Sequence, residues 1–594
     1  MLRLQGKART SDLRAGMALA LVLGACAATT PEEPHGVALW FAGLSSASCT
    51  VTGSGSGNVP DDVATLAVSL TWPGAQPKIE RTSRASVQGK AGWLIKLPVT
   101  SGLDIEAYGC DANKNVIWMG RSNGFAIESQ KETQARVFLA PVGKLACASS
   151  VGGSGVLQAP RSLAGGVGLA SGDAAIVGGV KDWIDAGANR KTGAASTATD
   201  FYDHRAGVFQ KGPDLLVPRI QPHVFALPAA PGEVAATRVL VIGGSGSVAS
   251  VSSKALPTPF MAPDAVDAAS LPKLQAEVLD MAGGSASKST AYTGDVGVGW
   301  RAFSSGILAG EDIVLVGGVD DSGAALAIGT RIQKIADIAA GGSSQNAQIT
   351  LVTARAQPAL ATFADGTVLV WGGATSKASA DMGELIAPGE TGGRKLTVTG
   401  PAELLGSDAL ATVGPAAVVL ARTADSLTLL VSGGMSVSHP TLGVDTLSYA
   451  VTVSRTAQTA ELKLIKLPTD IALHAGRDCA TAQLPGGQVL FAGGLIAPSS
   501  TAQPYCKPGG ECILDTYTVF DPPADLTASV LEMNATVVKF DGQRFGMTVL
   551  PVPAGVLLAG GQTTVFLDGP ALLDVGALLA WAPSADIQAK VCGK

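Results

Sequence analysis

At 594 residues the chain is too long for one ordinary hydrophobic core, so two or more units are expected. Charged residues make up only 15% and glycine fills 74 positions, a mix poor in helix surface and rich in turns that points to an all-β protein. The formal charge is −6, and residues 1–25 contribute +3 of it (Arg3, Lys7, Arg9 and Arg14 against Asp12), leaving −9 on the rest, which argues against nucleic acid and anionic lipid as electrostatic partners.

The four bases precede a short apolar run, "AGMALALVLGA" (15–25), which ends in "LGAC" at Cys26. This order of regions is that of a signal peptide, and the run is too short to span a bilayer. A cysteine directly after small residues resembles the lipobox of bacterial lipoproteins. The resemblance implies cleavage before Cys26, acylation of its thiol and amine, and membrane attachment through several chains. Ala27, in place of an aspartate, resembles an outer-membrane address. The alternative is an ordinary secretory signal in which Cys26 is coincidental. The expected organisation is a lipoprotein signal peptide (1–25), a linker (26–34), a small β-sandwich (35–147) and a β-propeller (148–594).

In residues 35–147, "LAVSLTW" (66–72) alternates cleanly, "LDIEAYGCDANKNVIWMG" (103–120) is a hairpin, and "ARVFLAPV" (135–142) is a closing strand. Period two with frequent turns predicts the sandwich. The turn "DANKN" has part of a calcium-loop pattern without the full ligand set, so it is read as a plain turn.

Beyond residue 150 seven apolar runs end in paired glycines: Gly178-Gly179, Gly243-Gly244, Gly317-Gly318, Gly372-Gly373, Gly433-Gly434, Gly493-Gly494 and Gly560-Gly561. An arginine runs in phase before six of them: Arg161, Arg219, Arg301, Arg355, Arg477 and Arg544, each 16 or 17 residues ahead except Arg219 at 24. Between arginine and glycines lie two apolar runs joined by turns such as "FADG" (363–366) and "LPGG" (484–487). Strands that are apolar throughout are buried on both faces, as the inner strands of propeller blades are. The glycine pair then lets the backbone leave the blade tightly against its neighbour. A third strand follows in "FYDHRAGVF" (201–209) and "YTVFDPP" (517–523). This succession of apolar run, double glycine and aromatic-Asp-turn-aromatic stretch resembles the kelch repeat, with Phe209 in the tryptophan place. The expected fold is therefore all-β, a seven-bladed kelch-like β-propeller preceded by the sandwich.

Seven cysteines remain after Cys26. Cys506 and Cys512 flank the turn "KPGGE", Cys49 and Cys110 share the N-terminal unit, and Cys147 and Cys592 bound the C-terminal one; these are the expected disulfides, with Cys479 left as a buried thiol.

The five histidines, His35, His204, His223, His439 and His474, include no pair at metal-ligand spacing. Kelch-type propellers include copper radical oxidases resembling galactose oxidase, whose site needs two His, two Tyr and a Cys; no such group can be assembled here. Sialidase-like Asp boxes, a nucleophile elbow and a phosphate loop are absent, so no catalytic residue, metal or cofactor is expected. The long segments 180–198, 245–298 and 495–514 share the face where the glycines lie, the default place for binding. The repeat arginines are either a basic rim for carboxylates or sugar acids on that face, or structural residues within the blades; repetition in nearly every blade favours the second. The function expected is a lipid-anchored outer-membrane or cell-surface protein binding a protein or polysaccharide. The alternatives are a carbohydrate-active oxidase or hydrolase and a structural envelope component.

Overall fold

The computed structural model describes residues 35–44, 59–88, 92–129, 131–148, 157–187, 190–229, 237–251, 275–281, 288–297, 303–320, 324–373, 381–405, 412–436, 448–467, 479–484, 487–496, 512–513, 516–539, 544–563, 572–573, 576–581 and 583–593. Cys26, Cys49, Arg301, Arg477 and Cys506 lie outside the described residues.

Seven antiparallel blades form a β-propeller. Their first strands are Gly165–Gly168, His223–Ala226, Ser304–Ala309, Ala359–Thr362, Ala416–Arg422, Ala480–Gln483 and Thr548–Val552. Each touches the next around the axis, and the last touches the first, so the ring is closed. The second strands are the apolar runs that precede the glycine pairs. In blade 4, Val368–Trp371 is completely buried. Successive residues of such a strand serve opposite neighbours. In blade 2, Val239 and Val241 pack on Ala175 and Val177 of blade 1, while Leu240 and Ile242 pack on Ile313 and Leu315 of blade 3. That two-sided burial is why these runs do not alternate with polar residues.

Closure uses a strand from upstream. Leu145–Cys147 pairs with Gly576–Leu579 as the outer strand of blade 7, in the register Leu145↔Leu579, Ala146↔Leu578 and Cys147↔Ala577. The ring thus begins three residues before the boundary expected at 148, and one blade is built from both ends of the propeller segment.

The N-terminal unit is a seven-stranded sheet curled over its own core. One half holds His35–Gly43, Trp93–Leu97 and Thr133–Pro141; the other holds Thr65–Thr71, Lys78–Ser83, Thr100–Cys110 and Val116–Ile127. The halves join through the pairs Trp118↔Pro141 and Met119↔Ala140 and face each other across Leu39, Val68, Ile105 and Val137. Its other side is continuous with the propeller. Tyr108, Met119 and Phe138 share a core with Ile176 and Tyr202 of blade 1 and Leu557 and Leu578 of blade 7.

The expected disulfides are corrected here. Cys110 bonds Cys592, not Cys49, and Cys592 therefore does not bond Cys147. The cause is the C-terminal helix Ala585–Cys592, which returns from blade 7 to the N-terminal sheet; the Arg81 Nε–H donates to the Val591 carbonyl at 2.8 Å beside the bridge. Cys147 is disulfide-bonded. Cys479 is buried, as the sequence suggests, and the Cys506–Cys512 pairing falls outside the described residues.

Candidate functional site

The repeated residues form inter-blade staples. The second glycine of a pair donates its N–H to the carbonyl of the next blade's arginine: Gly179 to Arg219 at 2.8 Å, Gly318 to Arg355 at 3.0 Å, Gly494 to Arg544 at 3.2 Å, and, across the closure, Gly561 to Arg161 at 2.8 Å. Blade 5 has no arginine, and Gly373 donates instead to Thr412 at 2.8 Å. The close approach requires glycine. At Gly560 φ is +66°, and a Cβ would lie 2.5 Å from the Arg161 carbonyl oxygen of the next blade.

The arginine side chains reach into the blade that follows them. Arg219 Nη1 donates to the Gly243 carbonyl and Arg355 Nη1 to the Gly372 carbonyl, both at 2.6 Å, while Arg161 Nη1 donates to the Ala198 carbonyl at 2.6 Å. Each also meets an acid on the third strand: Arg161 with Asp200, Arg219 with Glu277 at 3.0 Å, Arg355 with Glu384 at 3.0 Å. All six side chains are at most 1% exposed. Burial lowers the pKa of the Arg219 and Arg355 guanidinium groups, and Glu277 and Glu384 oppose that shift. These three arginines are internal braces and offer nothing to a ligand. Arg544 is half-buried.

Two residues past the arginine the backbone turns left-handed to enter the channel. Leu163, Gln221, Phe303 and Gln357 hold φ between +47° and +59°, and Gly414 and Gly546 take the same place in blades 5 and 7. A non-glycine residue costs roughly 1–2 kcal/mol there, and neighbouring blades fix it. The Leu163 N–H donates to Gly546 at 2.7 Å, Gln221 to Leu163 at 2.9 Å, Gln357 to Phe303 at 2.7 Å and Gly414 to Gln357 at 3.2 Å. A belt of backbone hydrogen bonds thus runs along the rim of the channel.

Inside this rim, on the double-glycine face, blades 1 to 4 enclose a cavity of about 330 Å³. Its polar lining comes from Gln221, His223, Ser245, Ser304, Ser305 and Gln357, with Phe303 beside them. Among the described residues, its lining holds no acid, lysine or arginine. His223 Nε2 lies 2.8 Å from Ser304 Oγ, and burial pushes the His223 pKa down to about 4, so the imidazole is neutral near pH 7. Above the rim, the expected loop 180–198 is a hairpin, Val180–Gly187 with Arg190–Ala195, joined by Ser247–Val251 from blade 2. Trp183 from this hairpin packs with Leu163, Ile220 and Phe545, and its Nε1–H donates to Gln562 Oε1 at 3.2 Å. Of the segment 495–514, Leu495–Ile496 pairs with Cys512–Ile513.

Sequence reasoning placed binding on this face but missed Gln221, His223, Ser304 and Gln357. A signal existed: where His223 stands, blades 1, 4 and 5 carry Gly165, Ala359 and Ala416, and where Ser304 stands, blades 2, 4 and 5 carry Pro222, Pro358 and Pro415.

On the opposite face, ligand atoms of Asp173, Asp203 and His204 lie within 4.8 Å of one another. His204 Nδ1 bonds Asp173 Oδ1 at 2.7 Å, while Asp203 Oδ1 accepts the N–H groups of Arg205 and Ala206, both at 2.9 Å. These bonds brace the turn between Tyr202 and Phe209, whose rings pack with centroids 5.1 Å apart. Arg205 carries the turn onto the N-terminal sheet, donating to the carbonyls of Asn123 and Gly124 at 3.1 Å and lying over the Phe125 ring.

No protein-family model matches the chain, and no curated protein matches it. Among solved structures, it is similar to one titled "Structure of YjhT", at 10% identity and TM-score 0.34, over 72% of this chain and 96% of that one. It is also similar to a novel fungal alcohol oxidase of the AA5 family in complex with copper, at 14% identity and TM-score 0.43, over 73% of this chain and 76% of the oxidase. The fold to which the geometry leads is the seven-bladed β-propeller.

Proposed function

We propose that the chain is a lipid-anchored, outer-membrane or cell-surface binding protein that holds a polysaccharide or a protein at the channel mouth on its double-glycine face. The observation that carries this reading is the cavity beneath the rim, lined by neutral amides and hydroxyls that converge beside an aromatic ring. Such a lining suits a neutral, hydroxyl-rich or peptide-like ligand, because its donors and acceptors can each be matched without a buried unpaired charge. The internal position of Arg161, Arg219 and Arg355 removes the main reason to expect a sugar acid.

The test is a screen of the purified mature protein against neutral glycans, acidic glycans and envelope proteins, repeated with Gln221→Ala and Gln357→Ala. Saturable binding that weakens about tenfold or more in either variant supports the reading, the scale of one lost hydrogen bond to a ligand. Binding unchanged by both variants, or confined to acidic glycans, overturns it. The anchor is tested separately: wild-type protein partitions into detergent and carries acyl mass on Cys26, and Cys26→Ser does neither.

A further inference from the structure

The blades repeat one another closely around the channel, so departures from the repeat are informative. Two polar departures, His223 at the start of the first strand in blade 2 and Ser304 at the start of the first strand in blade 3, come from adjacent blades and meet at 2.8 Å within the cavity. The imidazole is seated beside Phe225, with ring centroids 6.4 Å apart, and over Gly306, where a Cβ would lie 3.1 Å from Nδ1. Ser304 follows directly on Phe303, one of the four non-glycine residues held left-handed at the rim. A serine hydroxyl within hydrogen-bond distance of an imidazole nitrogen, in a cavity and next to a left-handed residue, places a nucleophile beside a base.

We propose that Ser304 is a nucleophile activated by His223, and that the channel mouth hydrolyses carboxylic esters, such as O-acyl groups on a hydroxyl-rich ligand. The Ser304 Oγ lone pair bonds the ester carbonyl carbon while its proton passes to His223 Nε2. The carbon–alkoxide bond then breaks, and the departing oxygen takes that proton, leaving an acyl-serine and the free alcohol. Water attacks the acyl carbon, giving one proton to His223; Ser304 Oγ leaves as the carbon–Oγ bond breaks and recovers the proton, and a carboxylic acid is released. No redox change occurs. The inference uses the cavity of the binding reading and goes beyond it.

Full-length protein is treated with a fluorophosphonate probe, the adduct mapped by mass spectrometry, and turnover of p-nitrophenyl acetate followed. The expected result is one adduct, on Ser304, absent in Ser304→Ala and formed at least about 100-fold more slowly in His223→Gln, the scale of a lost general base. In the wild type the labelling rate should fall as pH drops through about 4, where His223 becomes protonated. Folded wild-type protein with no adduct on Ser304, equal labelling of a folded His223→Gln variant, or a labelling rate flat across that pH range each overturns the proposal. Ligand binding that persists in a protein that never labels would sink the nucleophile and leave the binding reading standing.

Discussion

Arg355, the last residue of blade 3's outer strand (Asn346–Arg355), and Glu384 on the third strand of blade 4 form a fully buried ion pair: Nη2 and Nε of the arginine both donate to Oε1, at 3.0 and 3.2 Å. The other carboxylate contacts are backbone, since the Val352 N–H donates to Oε2 at 2.7 Å and the Thr353 N–H to Oε1 at 2.9 Å. Removing one partner strands the other's charge in the interior. Glu384→Ala is therefore expected to lower stability by about 3–5 kcal/mol, read from the midpoint of urea unfolding. By contrast, Glu532→Gln, which breaks the exposed pair with Lys466, should leave the midpoint where it was.

The staple needs glycine for two reasons, which can be separated. Gly560 has both a positive φ and the Arg161 carbonyl of the next blade 2.5 Å from any Cβ, whereas Gly389 has φ +73° and open space around it. Gly389→Ala should cost about 1 kcal/mol, for conformation alone. Gly560→Ala should cost clearly more, about 2–4 kcal/mol, because blade 1 must also move away. Equal shifts in thermal midpoint would show that the inter-blade approach carries no energy.

The Cys110–Cys592 bridge fastens the C-terminal helix to the N-terminal sheet. Replacing both cysteines by serine should cost about 2–5 kcal/mol and open the end of the chain. Limited proteolysis would show it, as early cleavage near residue 583 that the oxidised wild type resists.

Asp173 gives a pH dependence with a definite sign. Burial works to raise its pKa, but hydrogen bonds from the His204 ring, Ser171 and the His204 backbone outweigh it and hold the carboxyl below its ordinary value. A folded-state pKa below the unfolded one stabilises fully above about pH 4, and the contribution is lost as pH falls through the folded value. Asp173→Asn should thus melt lower than wild type at pH 7, and the gap should close in acid. A gap that stayed constant down to about pH 2 would contradict this.

The parts of the fold visible in the sequence are those written locally. Arg355 and Gly372 flank one hairpin, so their spacing repeats from blade to blade. The acids that complete the braces do not: Asp200, Glu277 and Glu384 stand 22, 34 and 12 residues beyond Gly178, Gly243 and Gly372, because loops of different length intervene. Leu145–Cys147 carries no mark of the blade it closes, and Cys592 none of the helix that returns it to Cys110. Of the candidate site, the face was legible from the long segments after the glycines. His223 and Ser304 were not, since no spacing connects residues on adjacent blades, and only a comparison of equivalent positions exposes them.

The closed ring is tested most directly by joining its two ends. Leu145→Cys and Leu579→Cys are cross-strand partners in blade 7, close enough for a disulfide. The account predicts that oxidation of the folded double variant forms this bond, giving a faster-migrating species on a non-reducing gel and a higher melting temperature. Two thiols that stay titratable in folded, oxidised protein would contradict it.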